Sequence, residues 1–230
     1  MKSLVFVFPI LLVLGVNNVQ SQDTKIIYVG DPMCSWCYGF SDQMGLLLDK
    51  YPNADFELVM GGLRKDGDEH ISTLKEFLKE HWMEISRMTG VKFNYNILDE
   101  DIYYNTEPAC RAVTTFRTYN KKDLLNYFRD IQEAFYYHNI NPFLTENYAK
   151  LASKYGVDKQ AFENRMTSDL GFKLVQDDFD RSASMKTNAF PTVFLEYKGM
   201  IYLVTRGYDN AENMSTKIED LLKRLNKSGN

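Results

Sequence analysis

Cys34 and Cys37 stand three positions apart, where the hydrophobic pattern of the chain changes its period. Ahead of them, Lys25 to Val29 is short, apolar and rich in β-branched residues, the pattern of a buried strand. Gly30-Asp31-Pro32 then interrupts it. Behind the pair, from Ser35 to about Lys50, Tyr38, Met44, Leu47 and Leu48 supply bulk in a helical pattern, and Pro52 and Asn53 end it. Phe56 to Met60 reads as a second strand, closed by Gly61-Gly62. Strand, helix and strand in so short a span predict a parallel pair with a right-handed crossover. The C-x-x-C therefore falls at the start of the crossover helix.

That position matters more than the spacing. A thiol at a helix N-terminus faces unpaired N–H groups and the positive end of the helix dipole, which favour the thiolate. On this reading Cys34 is exposed and nucleophilic, while Cys37, one turn further on, is shielded and resolves a mixed disulfide. Three other readings compete. A structural zinc site needs four ligands, and there is no second C-x-x-C or paired histidine motif; His70, His81 and His138 are scattered. A purely structural disulfide would close too small a loop to stabilise much. Two inert buried thiols fit poorly with the polar, Pro-broken turn beside them.

The middle of the chain is helical. Ile71, Leu74, Leu78, Trp82 and Ile85 form one apolar face, with Asp68 as the expected N-cap. Ala109, Ala112, Val113 and Phe116 form another, followed by the Leu124–Phe135 and Leu144–Tyr155 repeats, with Gly156 as a C-cap. Further helices are expected after Asp158 and near Leu174 to Met185. After Pro191 the period becomes that of strands: Thr192 to Tyr197 and Ile201 to Thr205, joined at Lys198-Gly199. A last helix opens at Asp209-Asn210-Ala211-Glu212. The ends thus read β-α-β and β-β-α, one α/β sheet with a helical insertion. The expected division is an α/β domain from residues 22–66 and 187–230, with an inserted helical domain over 67–186.

Lys2 is the only charge before an apolar run from Leu4 to Val16. That run falls well short of the ~20 residues a membrane span requires. It reads as the core of a signal peptide over residues 1–21, with Val19 and Ser21 at the cleavage site. The expected location is periplasmic or secreted, an oxidising compartment in which disulfides persist, with no membrane span after cleavage. A net charge of −4 without a basic block argues against nucleic acid as a partner. Three cysteines are too few for a disulfide scaffold.

Phe190-Pro191-Thr192 stands immediately before a strand. X-Pro at such a place ordinarily means only an extended dipeptide. Beside a redox pair the sharper reading is a cis proline whose neighbouring backbone docks an extended substrate segment.

The stretch Asp31-Pro32-Met33-Cys34-Ser35-Trp36-Cys37-Tyr38-Gly39-Phe40 resembles the active-site segment of the DsbA-like branch of the thioredoxin superfamily. Within it, the FrnE-like predicted protein-disulfide isomerases are most similar. Thr106-Glu107-Pro108-Ala109-Cys110-Arg111-Ala112-Val113 resembles their second characteristic segment, and Ala189-Phe190-Pro191-Thr192 their cis-proline position. The resemblance implies a thioredoxin fold with a DsbA-like helical insertion and thiol–disulfide exchange on polypeptides. It assigns the nucleophile to Cys34, the resolving thiol to Cys37, and substrate docking to Phe190 and Pro191; Trp36, between the cysteines, is a further expected substrate contact. Other members carry a buried carboxylate six residues before the first cysteine; here Tyr28 stands there, which leaves Asp31 or Glu107 as candidates to accept the Cys37 proton. Ser35-Trp36 brings no histidine between the cysteines, so a mild oxidant is expected, poised near −180 mV like the isomerases (roughly). Cys110 reads as a small buried hydrophobe.

The expected activity is exported thiol:disulfide oxidation or isomerisation of cysteine-containing client proteins. It requires no metal and no organic cofactor beyond the Cys34–Cys37 disulfide, and it requires a redox-recycling partner. The alternatives are a glutathione-dependent isomerase or transferase of the kappa-class type, and a non-catalytic client-binding chaperone on the same scaffold.

Overall fold

The structure, a computed structural model, describes residues 24–228; the expected signal peptide lies outside them. Four strands form one sheet: β1 (Thr24–Gly30), β2 (Asp55–Met60), β3 (Thr192–Tyr197) and β4 (Met200–Arg206), in the order β2-β1-β3-β4. β1 runs parallel to β2 and antiparallel to β3, and β3 runs antiparallel to β4. β1 is central and covered on both faces, which is why Ile26 to Val29 is an unbroken apolar run instead of an alternating one. Lys198 and Gly199 turn the β3–β4 hairpin with φ of 50° and 77°, the two positive values that a type I′ turn requires. A register shift opposite Val193 and Phe194 makes β4 bury Val204 and Thr205 in succession.

Helix α1 (Ser35–Lys50) crosses from β1 to β2, burying Cys37, Phe40, Met44 and Leu47. Between β2 and β3 come α2 (Lys75–Thr89), α3 (Glu107–Arg117), α4 (Leu124–Tyr136), α5 (Thr145–Ser153), α6 (Lys159–Met166) and α7 (Asp169–Ser184). Helix α8 (Ala211–Ser228) closes the chain, burying Met214, Ile218 and Leu222, with the Asn210 side chain accepting from the Asn213 N–H. This is the thioredoxin arrangement of an α/β protein, with the helices inserted between its two halves. One apolar cluster runs through sheet and insertion alike, from Ile26, Tyr28 and Phe40 to Trp82, Phe116 and Phe128.

Asp68 does not cap α2. Ile71–Leu74 form a 3₁₀ turn, fixed by the Ile71 N–H donating to Ile102 O at 2.9 Å, and the α-helix begins only at Lys75. The apolar spacing of Ile71 and Leu74 survives because i, i+3 positions share a face in both helix types. Gly90 ends α2 with φ of 81°, the left-handed residue of a C-terminal cap.

The outer edge of β2 is tied to the insertion. Arg117 of α3 donates to Leu58 O at 3.0 Å and to both carboxylate oxygens of Asp178 in α7, at 3.1 and 2.6 Å. Asp178 in turn accepts from the Met60 N–H at 2.9 Å. Burial pushes the Asp178 carboxyl up, and Arg117 pulls it back down.

Candidate active site

β1 ends at Gly30, and the chain turns through Asp31-Pro32-Met33 into α1, with Cys34 at the N-cap. The Cys34 N–H donates to Asp31 O at 3.1 Å, which sets the thiol at the mouth of the helix. Cys34, Cys37 and Cys110 are all buried free thiols. The expectation that Cys34 is exposed needs correction: only 5% of its surface is open. The Phe190–Pro191 loop lies over it, and the Cys34 thiol donates to Phe190 O at 3.7 Å. The Phe190–Pro191 peptide is cis. The Gly207 N–H donates to Pro191 O at 2.7 Å and holds the loop to the end of β4.

Trp36 is half-buried, with its ring 6.2 Å from that of Tyr208. Trp36 and Tyr208 thus pack together at the start of α1, and Phe190 lies against Cys34. Phe190 lies so close to Gly61 that a Cβ there would meet its ring at 2.2 Å. Gly61→Ala is expected to push the Phe190 ring away, cost about 1–3 kcal/mol, and disturb the loop against Cys34. Comparing denaturation midpoints with client turnover checks this; activity should fall further than the lost stability accounts for.

Cys37 is wholly buried beneath Cys34. Burial pushes its thiol well up, and the neighbouring Cys34 adds to this; the Asp31 backbone and the Tyr28 hydroxyl work in the opposite direction.

The two residues proposed to take its proton sit differently from the expectation. The carboxylate of Asp31 is fully buried and already engaged. Its Oδ1 accepts from the Met33 N–H at 2.8 Å, and its Oδ2 from the Leu63 N–H and the Thr106 hydroxyl, both at 2.7 Å. The Cys110 thiol approaches Oδ2 at 3.4 Å. Burial still outweighs these bonds and raises the Asp31 carboxyl. Glu107 faces away: Arg111 binds both its oxygens, at 2.7 and 3.3 Å. Helical spacing explains the difference. Thr106 and Cys110, four apart, share the face of α3 turned to Asp31, while Glu107 and Arg111 share the next face round.

Thr106, Tyr104 and Tyr208 were missed as site residues in the sequence. The Tyr104 hydroxyl donates to Met33 O at 2.6 Å and fixes the turn before Cys34. Thr106 stands at an N-cap before a Glu-Pro helix start, where Thr ordinarily caps its own helix; here it makes no such bond and donates to Asp31 instead. Cys110 is the small buried thiol expected, with a polar contact that composition could not indicate. Among the described residues, no group of three or more His, Cys, Asp or Glu side chains is placed to hold a metal ion. No described helix is long and apolar enough to cross a membrane.

No curated protein matches the sequence. Solved structures do. A "putative protein disulfide isomerase" from Nitrosomonas europaea is 26% identical, with a TM-score of 0.81, covering 88% of this chain and 99% of its own. The cytosolic disulfide reductase DsbM from Pseudomonas aeruginosa shares the fold at 18% identity and a TM-score of 0.72, covering 86% and 98%. A 2-hydroxychromene-2-carboxylate isomerase shares it at 17% and 0.60, covering 89% and 97%. The family model described as the DSBA-like thioredoxin domain matches residues 25–219, and with the strand-to-helix thiol pair set beneath a proline loop, the chain belongs to that family.

Proposed function

We propose that this protein is an exported thiol:disulfide oxidoreductase with isomerase character, acting on cysteine-containing client proteins through Cys34 and Cys37. The observation that carries the reading is the Cys34 thiol at the start of α1, 3.7 Å from Phe190 O, with Cys37 closed off below it. A client sulfur reaching Cys34 beside Phe190 would find a backbone acceptor at Phe190 for its own chain. The mixed disulfide then forms at Cys34, and Cys37 displaces the client. No organic cofactor or metal enters this exchange, and a separate recycling partner restores the starting redox state. Asp31 serves as a positioning residue for the turn, and Glu107 has no part in the proton transfer.

The raised Cys37 thiol argues for isomerisation over rapid oxidation. At neutral pH it is largely protonated, so the attack that ends the mixed disulfide is slow, and the client has time to rearrange. Resolution should accelerate close to tenfold per pH unit from neutral upward, as the thiolate fraction grows, until the Cys37 pKa is reached. Stopped-flow release of a labelled client from the mixed disulfide measures this; a flat profile would contradict it.

The test of the function is Cys37→Ser incubated with a disulfide-bonded client. It should accumulate a mixed disulfide through Cys34, visible on a non-reducing gel and absent from a variant that also lacks Cys34. Failure to form that adduct overturns the reading. Export rests on the Lys2 and Leu4–Val16 pattern; N-terminal sequencing of the mature protein should begin near Gln22.

A further inference from the structure

Tyr28 carries a hydroxyl that the protein keeps dry at a cost. The residue is wholly buried, and its oxygen has no hydrogen-bond partner of normal geometry. Buried hydroxyls are nearly always paired, so an orphan of this kind asks for a reason. Its surroundings show where it is aimed. The ring packs 5.6 Å from Phe40 of α1 and 5.8 Å from Phe128 of α4. It leans along β1 over Gly30, so far that a Cβ on Gly30 would meet the phenol carbon at 2.7 Å and the oxygen at 2.8 Å. Gly30 thus leaves a notch at the end of the strand, and the hydroxyl occupies it, at the point where the chain turns toward the two thiols. The titratable groups that act on Tyr28 are Cys34, Cys37 and Asp31; Tyr104, Tyr136 of α4 and Cys110 of α3 act in turn on Cys34 or Asp31, and Phe40 and Phe128, packed on the ring, are uncharged.

We propose that the Tyr28 hydroxyl is the hydrogen-bond donor that receives the Cys37 thiolate when the mixed disulfide is resolved. The inference rests on the exchange reaction proposed above. In that step the Cys37 thiol loses its proton and its sulfur attacks Cys34 Sγ. The Cys34–Cys37 bond forms, the bond from Cys34 to the client sulfur breaks, and the client sulfur leaves with the electron pair and takes up a proton. Nothing is oxidised or reduced beyond this exchange. The thiolate exists only between deprotonation and attack, which is why its donor is unpartnered in the resting protein. Burial and the charge of Cys37 push the Tyr28 phenol well up, so it keeps its proton and acts as a donor, never as the base. In return, a hydrogen bond from it to the Cys37 sulfur lowers that thiol, against the effect of burial.

The test is the pH profile of resolution in Tyr28→Phe, compared with a protein carrying 3-fluorotyrosine at position 28, whose phenol is a stronger donor. Tyr28→Phe should shift the profile to higher pH and slow release about tenfold at pH 7, the worth of one hydrogen bond to a charged group. The fluorinated protein should shift it to lower pH. Alkylation of Cys34 should be unchanged in both, and Tyr28→Phe should unfold no more readily than the parent, since it loses only an unpaired hydroxyl. An unshifted profile, or a slowing that persists on the plateau above the Cys37 pKa, overturns the proposal. Should the parent protein itself form no mixed disulfide, the failure lies with the proposed function; should the parent resolve normally and both variants match it, only the role of Tyr28 falls.

Discussion

Cys34→Ser should reduce insulin reduction and the refolding of scrambled ribonuclease to the uncatalysed background, a loss on the order of 10³-fold or more, as when an enzyme loses its nucleophile. The size of the effect follows from the chemistry. A serine hydroxyl cannot form the mixed disulfide, and Cys37 cannot substitute for the missing sulfur, because it is wholly buried beneath that position. Its thiol is also held protonated by burial. Cys37→Ser should behave differently, binding clients and failing to release them. A buried hydroxyl without a partner costs about 1–3 kcal/mol, which should leave both proteins folded, and circular dichroism verifies that. Residual turnover above background in Cys34→Ser would contradict the assignment, and client protection without turnover would favour a chaperone instead.

Asp31→Ala should be among the most destabilising single changes in the thiol region. Four donors converge on this carboxylate: the Met33 and Leu63 N–H groups, the Thr106 hydroxyl and the Cys110 thiol. Each buried donor left unsatisfied costs about 1–3 kcal/mol. With some relaxation and entry of water, a total of about 4 kcal/mol is expected, a large part of the ~5–15 kcal/mol that typically holds a domain together. Urea denaturation measures it. Asp31→Asn separates shape from charge. Burial raises the carboxyl of Asp31 in the native state, so between the unfolded pKa of ~3.9 and the native one the folded protein binds the extra proton. Stability from this group is therefore greatest at low pH and falls as pH rises through that window, by at most ~1.4 kcal/mol per pH unit. The advantage of the parent over Asp31→Asn should shrink across the same window and level off above it. An advantage that grows with pH would mean that the ionised form is the favoured one.

Much of this molecule is readable from the chain because its signals are local. The strand before Cys34, the helix after it, the Lys198-Gly199 turn and the apolar helical faces each depend on a short stretch. So does the Asp158 cap, which accepts from the Ala161 N–H. The failures involve partners distant in sequence. Asp68 looks like a cap, yet Ile102 dictates how the chain enters α2. Glu107 looks like an acid near a thiol, yet the rotation of α3 gives that face to Thr106 and Cys110. Cys34 looks exposed by its motif, yet a loop more than a hundred residues downstream covers it. Tyr28 stands out in the sequence, but only the notch over Gly30 shows where its oxygen goes.

The bond set around Arg117 has a consequence for how a guest chain can approach. Leu58 and Met60 have their outward-facing main-chain groups filled by Arg117 and Asp178, so nothing can be added to the sheet alongside β2 there. An incoming peptide that seeks main-chain partners is turned away from that flank. Near the sulfur pair, the Phe190 carbonyl lies 3.7 Å from the Cys34 thiol, so on the proposed reading recruitment and reaction share one doorstep.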